Sequence, residues 1–337
     1  MNFSMLLRDN MDISTIKEHI GQDWTSVQEC IASVLKSDID LLNSTNSSIL
    51  ANSGKQLRPM LSLLIARACS GGRTNDAAVR YAAAAELLHN ATLLHDDVAD
   101  DSPQRRGVPT IMSLMGPSVS VLVGDYWLVK AMELILLDAS TDARVIRIFS
   151  KTLSDLAAGE MLQLQKAQSG DTDMEDYLRV IYSKTASLFE AACLSAAVAV
   201  GASARQEKAA VDYSVALGLA FQIKDDILDY AGTPSVGKPL GVDVMEQKIT
   251  LPLLGALSSA SLQEAEEIRS RIRDIPDHPE YRDEIVDFVR QKGGIEYATA
   301  ELKRYVEAAV RALDAFEDGP EKDFLISLAH YTAIREK

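Results

Sequence analysis

Apolar residues recur three and four positions apart through most of the chain, and clusters of Gly, Pro, Asn and Asp interrupt them. That spacing is one face of an α-helix. The pattern predicts helices over 12–22, 24–49, 57–70, 75–100, 117–138, 142–168, 173–201, 204–231, 247–259, 262–273, 279–291, 294–315 and 319–335. Long stretches rich in Ala, Leu, Glu, Lys and Gln favour helix over strand. Two segments, "YAAAAELLHNATLLH" (81–95) and "VDYSVALGLAFQI" (211–223), are apolar on nearly every face and belong inside a bundle. The expected fold class is all-α, a helical bundle whose more charged C-terminal third lies outside. There is no repeat at solenoid spacing and no long linker. The expected organisation is an N-terminal helical extension over 1–50 and a single all-helical domain over 51–337.

Composition narrows this picture. With 337 residues, 47% of them hydrophobic, the chain can bury a large core. A formal net charge of -15 excludes general binding of nucleic acid or anionic membranes, which needs a basic face. Cys30, Cys69 and Cys193 are widely spaced and suit free thiols in a reducing cytosol. The start of the chain has no basic segment followed by an apolar one, so no signal peptide is read and the expected location is cytoplasmic. The most apolar run, "AACLSAAVAVGASA", has about fourteen residues, short of the roughly 20 needed to cross a bilayer.

The candidate chemistry lies in two acidic clusters. In "LLHDDVADDSPQRRG" (93–107), Asp96, Asp97 and Asp100 sit three and four apart at the end of a predicted helix, so their carboxylates share one face. The helix dipole already presents negative charge there, and the arrangement is unfavourable unless cations compensate it. Taken alone, the cluster is equally a solvated helix end. The spacing recurs, however, in "FQIKDDILDYAG" as Asp225, Asp226 and Asp229. Convergent carboxylate oxygens suit a hard divalent ion such as Mg2+, whose natural further ligand is a phosphate or diphosphate. Basic residues accompany the clusters: Lys55 and Arg58 in "GKQLRP", Arg105 and Arg106 after the first cluster, and Lys184, Lys224, Lys238 and Lys248 around the second. Singly, each is an ordinary surface charge. His89 falls two turns before Asp96 on nearly the same face, while His95 points elsewhere and reads as structural.

Five ordered motifs, "GKQLRP", "ELLHNATLLHDDVADDSPQRRG", "YSKTASLFEAA", "FQIKDDILDYAG" and "GKPLGVDVMEQKITLP", resemble those of the trans-isoprenyl diphosphate synthases, also called polyprenyl synthetases. The resemblance runs from about residue 50 to the C-terminus. It implies an isoprenoid-synthase-type bundle with a large central cavity, a homodimer, and Mg2+-dependent condensation of an allylic diphosphate with isopentenyl diphosphate. It further implies metal binding by Asp96, Asp100 and Asp225, supported by Asp97, Asp226 and Asp229. Isopentenyl diphosphate would be held by Lys55, Arg58, His89 and Arg106, and the allylic diphosphate by Arg105, Lys184, Gln222, Lys238 and Lys248. Thr185 and Gln222 would stabilise the developing cation. Two positions depart from the family pattern: Gln56 stands where a basic residue is common, and Gln247 where Gly is common.

The family's short-chain members close the tail pocket with aromatics four and five residues before the first aspartate. Here those positions are Thr92 and Ala91, with Leu88 and Ala85 further back along the helix, so the resemblance implies an open pocket. The expected product is longer than C20, of the quinone side-chain type, with contact to a membrane arising only through that product. A stop supplied by Met115, Tyr126, Trp127 or Met161 would instead give a short or medium chain. A terpene cyclase would lack the basic first motif, and a non-catalytic subunit would have lost aspartates that this chain keeps.

Overall fold

The computed structural model describes residues 13–105, 107–138, 141–231 and 241–335. These are almost entirely helical, in agreement with the all-α expectation; the strands among them are β1 (Gln104–Arg105) and β2 (Val108–Pro109), paired antiparallel with Arg105 opposite Val108. The chain forms two compact units. The first comprises 1–149, 191–210 and 316–324, the second 150–190, 211–315 and 325–337.

In the first unit, α1 (Ile13–Val34), α2 (Asp40–Ala51), α3 (Leu57–Ser70), α4 (Asp76–Ala99), α5 (Ile111–Met115) and α6 (Pro117–Leu136) precede the start of α7 (Ala143–Ser169). Helix α4 is the centre, touching α1, α3 and α6. Its residues from Tyr81 to Leu88 are buried in succession, because alanines on every side let neighbours approach closely. The Asn75 side chain caps α4 by accepting from the Ala78 N–H at 2.9 Å. Trp127 of α6 is fully buried, and its indole N–H is satisfied by Asn46 Oδ1 at 2.8 Å.

The first two helices differ from expectation. The predicted break after residue 22 takes the form of a kink at Gly21, whose φ 47° and ψ -114° are non-helical within α1, so two helical pieces meet there. A second break, not predicted, divides the expected 24–49 helix at 35–39, where Asn43 turns back on Ser37, donating to its carbonyl at 2.8 Å and accepting from its N–H at 3.0 Å. Helix α1 buries Ile16, Ile20, Val27 and Ile31. Arg67 joins it to the start of α16 (Pro320–Ile334), with ion pairs of 2.9 Å to Asp23 and 3.1 Å to Glu321, and His19 lies 3.0 Å from the same Glu321. On the surface of this unit Leu122, Val129 and Leu136 of α6 are exposed by 67%, 52% and 52% at seven-residue intervals, with Val121 and Leu137 beside them.

The second unit holds the rest of α7, then α8 (Met174–Ile181), a π-helical turn (Tyr182–Ala186), the start of α9 (Ser187–Ala199) and most of α10 (Ala204–Ala231). Helices α11 (Val242–Met245), α12 (Leu251–Ser258), α13 (Leu262–Asp274), α14 (Tyr281–Gln291) and α15 (Gly294–Ala312) follow. The predicted helix over 173–201 is therefore interrupted by a turn that periodicity does not reveal. Gly218 of α10 lies directly against this turn: a Cβ there would sit 2.6 Å from Ala186 Cα, so a side chain is excluded. Helix α12 is buried from Leu251 to Leu257 and is covered by α13, α14 and α15. The hydroxyl of buried Tyr213 donates to the Leu325 carbonyl at 2.7 Å.

Among the described residues no helix is long and apolar enough to cross a membrane.

Candidate functional site

In the first unit the acidic cluster ends α4. Asp96 is half-buried, Asp97 buried and Asp100, the C-cap, exposed. The β1–β2 turn brings Arg105 back over the helix end, where its Nε donates to Asp97 Oδ1 at 2.8 Å. Burial raises the Asp97 carboxyl above its ordinary range and Asp100 adds to this, while the Arg105 guanidinium opposes it. Arg105, expected on the allylic diphosphate, is thus engaged by a carboxylate here. Asp101 is exposed and takes a left-handed φ of 46°, which ends the helix. Lys55 and Arg58 are half-buried around the start of α3, and His89 is half-buried on α4. Arg106 lies outside the described residues.

The tail-pocket residues also lie on α4. Ala85 and Leu88 are fully buried, Ala91 is 1% exposed, and Thr92 is half-buried with its hydroxyl donating to the His89 carbonyl at 2.8 Å. Thr92 is the one of the four that is not fully buried. Trp127, considered as a stop, is sealed in the core, whereas Met161 is 67% exposed.

In the second unit the other cluster lies on α10 near its end. Asp226 is 2% exposed, and both of its oxygens accept hydrogen bonds: Oδ2 from the Tyr177 hydroxyl at 2.7 Å, Oδ1 from Gln222 Nε2 at 3.0 Å. Gln222 Oε1 in turn accepts from the Thr185 hydroxyl at 2.8 Å, so these two polar groups adjoin. Asp225 pairs with Arg335 at 2.8 Å; that guanidinium is buried and stacks 3.9 Å from the Phe221 ring. Asp229 caps α11, accepting from the N–H groups of Val242 at 3.0 Å and Asp243 at 3.2 Å. Lys184, in the π turn, pairs with Glu160 at 2.8 Å, and Lys248 pairs with Glu246. Lys224 is half-buried. Lys238 lies outside the described residues.

A cleft of about 630 Å³ opens in this unit, and its lining includes Lys184, Gln222, Asp226, Asp243 and Lys248. Lys166, Tyr177 and Asp243 also line it and were not identified from sequence. Lys166 carries no family signal; Asp243 sits inside a recognised motif, and only its place beside the other carboxylates marks it.

The residues fit a divalent cation electrostatically. Burial, with the charges of Asp225 and Asp229, pushes Asp226 up to about 7 despite the hydrogen bonds from Tyr177 and Gln222. Burial and the charges of Asp226 and Asp229 likewise raise Asp243 well above the carboxylate range. Such mutual repulsion is what a bound divalent ion relieves, and the donors are the hard oxygens that Mg2+ takes. No three acidic, His or Cys side chains among the described residues are yet gathered around one point as a preformed metal group.

The departures from the family pattern have a backbone cause at one position. Gln247 has φ 57°, the left-handed region that glycine enters without cost, and a residue with a Cβ adopts it at about 1–2 kcal/mol. Its side chain offsets this by donating to the Ile272 and Arg273 carbonyls, at 3.2 and 3.0 Å, which caps α13. Gln56 is also left-handed, at φ 55°, and its buried Nε2 has no hydrogen-bond partner among the described residues.

Comparison with known proteins adds the remaining information. The chain is similar to the octaprenyl diphosphate synthase of Escherichia coli, 37% identical over 97% of this chain and 100% of that protein. Among solved structures it is similar to a decaprenyl diphosphate synthase from Rhodobacter capsulatus, with a TM-score of 0.88 and 34% identity over 97% of this chain and 100% of that one. It is equally similar, with a TM-score of 0.88 and 32% identity over 98% of this chain and 100% of the other, to a polyprenyl synthase from Caulobacter crescentus complexed with calcium and isoprenyl diphosphate. The family model for polyprenyl synthetase matches residues 39–289, within which both aspartate clusters and the cleft residues fall, and the chain belongs to that family.

Proposed function

We propose that the protein is a long-chain trans-polyprenyl diphosphate synthase, working as a cytoplasmic homodimer with Mg2+, that extends an allylic diphosphate with isopentenyl diphosphate to products beyond C20. The observation that carries this reading is the cleft in which Lys184, Gln222, Asp226 and Lys248, drawn from separate motifs, line one space. The long-chain assignment is supported by relatives that make octaprenyl and decaprenyl diphosphates and by the small residues Ala91 and Thr92.

Asp96, Asp100 and Asp225 are the proposed Mg2+ ligands, with Asp97, Asp226 and Asp229 backing them. Bound Mg2+ would neutralise the diphosphate leaving group as the allylic carbon–oxygen bond breaks. Arg105, Lys184, Lys238 and Lys248 grip that diphosphate and stabilise the charge it gains. Thr185 and Gln222 present oxygen atoms to the allylic cation. Lys55, Arg58, His89 and Arg106 hold isopentenyl diphosphate so that its double bond attacks the cation. The proton then lost passes to the released diphosphate. In the test, purified protein with farnesyl diphosphate, labelled isopentenyl diphosphate and Mg2+ yields products longer than C20 by mass spectrometry, and EDTA abolishes turnover. A product stopping at C15 or C20 would sink the long-chain assignment; absence of turnover would sink the enzyme.

The exposed seven-residue stripe of Leu122, Val129 and Leu136 supports the homodimer, since a helix face of that pattern gains stability by meeting a copy of itself. Leu122→Asp combined with Val129→Asp is expected to convert a dimer to a monomer in light scattering. A wild-type protein that runs as a monomer at micromolar concentration overturns the assignment.

A further inference from the structure

The carboxylate of Asp226 does not face solvent, and both of its oxygens are occupied by protein donors, Tyr177 and Gln222. Asp226 accepts at both oxygens, so Gln222 turns its NH2 group toward Asp226 and its carbonyl oxygen away. That oxygen accepts from Thr185 at 2.8 Å, which obliges the Thr185 hydroxyl to donate and leaves its lone pairs uncommitted. The two ends of a glutamine amide are nearly equal in size, so shape alone does not choose between its orientations. The choice here is made by Asp226. Tyr177 is 3% exposed, and its hydroxyl holds Asp226 Oδ2, so removing it loosens the carboxylate.

The fold supports this chain of bonds from three elements. Gln222 and Asp226 are one turn apart on α10, Tyr177 comes from α8, and Thr185 from the π turn, whose extra backbone residue per turn rotates it relative to a continuous helix. Gly218 permits α10 to approach that turn.

We propose that Tyr177 and Asp226 are positioning residues that fix the Gln222 amide with its carbonyl oxygen toward Thr185, so that the negative ends of both dipoles serve the developing allylic cation. This rests on the prenyl-transfer reading above. The amide turned the other way would present N–H groups and oppose the cation, so the orientation bears on the rate and not on substrate affinity.

The test uses the full-length enzyme with farnesyl diphosphate, isopentenyl diphosphate and Mg2+. Wild-type turnover checks the prenyl-transfer reading independently. Tyr177→Phe and Asp226→Asn are each expected to lower kcat by about ten- to a hundredfold, the effect of one lost charge-assisted hydrogen bond in the transition state. For Tyr177→Phe both KM values and the half-saturating Mg2+ concentration should stay within about twofold, because its hydroxyl is committed to Asp226. In a Gln222→Leu background, which has no amide to orient, Tyr177→Phe should add no further loss in kcat. If Tyr177→Phe loses its cooperative thermal transition, Asp226→Asn decides the matter by whether its kcat loss persists at saturating Mg2+ and vanishes in the Gln222→Leu background. The proposal is overturned by an unchanged kcat, by a shift of the Mg2+ requirement with kcat restored at saturation, or by losses that multiply in the Gln222→Leu background.

Discussion

Asp225→Asn is expected to lower turnover by about a thousandfold at low Mg2+, with the fold retained. The replacement keeps the shape of the side chain and removes its charge. If Asp225 is a metal ligand, stabilisation of the departing diphosphate falls by several kcal/mol, and each 1.36 kcal/mol is tenfold in rate. The half-saturating Mg2+ concentration should rise with the loss. The side chain of Asp225 is 44% exposed and pairs with Arg335, for which Asn keeps an accepting oxygen, so the change disturbs little packing. Turnover of labelled isopentenyl diphosphate across a Mg2+ titration, with a thermal melt beside it, provides the measurement. Turnover within tenfold of wild type at every Mg2+ concentration would remove Asp225 from the ligand set.

The second large effect concerns product size. Thr92→Phe is expected to cut the product to C20 or shorter, read directly by mass spectrometry. Thr92 is half-buried, so a ring placed there has space to project, and an aromatic at this point blocks the path of a growing tail. Ala91→Phe should act in the same direction but at a cost in stability. Ala91 is 1% exposed, and adding a ring to a filled core site costs typically about 1–3 kcal/mol. The pair discriminates between two roles for the small residues. If they are only core filler, Ala91→Phe lowers the melting temperature and neither change alters product length.

Local signals and long-range pairings differ in how far they could be read in advance. The helices were legible because each carries its own apolar period, and α4 and α10 were recognisable as interior because alanine and leucine occupy every face. The two aspartate clusters were legible because their spacing is local. The pairings that hold those aspartates were not. Asp225 meets Arg335 from 110 residues away and Asp226 meets Tyr177 from 49, and no period or motif records either. The π turn was invisible for a related reason: "YSKTA" has the composition of an ordinary helix, and its extra residue is accommodated where Gly218 leaves room. At the N-terminus the predicted break lies beside the Gly21 kink, whereas the break at 35–39, closed by the side chain of Asn43, interrupts a stretch whose apolar period continues.

Glu321 makes the order of synthesis matter. It belongs to the first unit together with residues up to Phe149, and its carboxylate meets Arg67 and His19; burial opposes its ionisation, but the hydrogen bonds to these two side chains hold it below the usual range. A chain emerging from the ribosome therefore carries Arg67 and the exposed faces of α1 and α3 for some 250 further residues before their partner exists. The second unit is closed as late, since Tyr213 waits for Leu325. A chain interrupted before α16 therefore lacks the Glu321 partner of Arg67 and the Leu325 carbonyl that Tyr213 bonds, and both units are open to aggregation until α16 has been made.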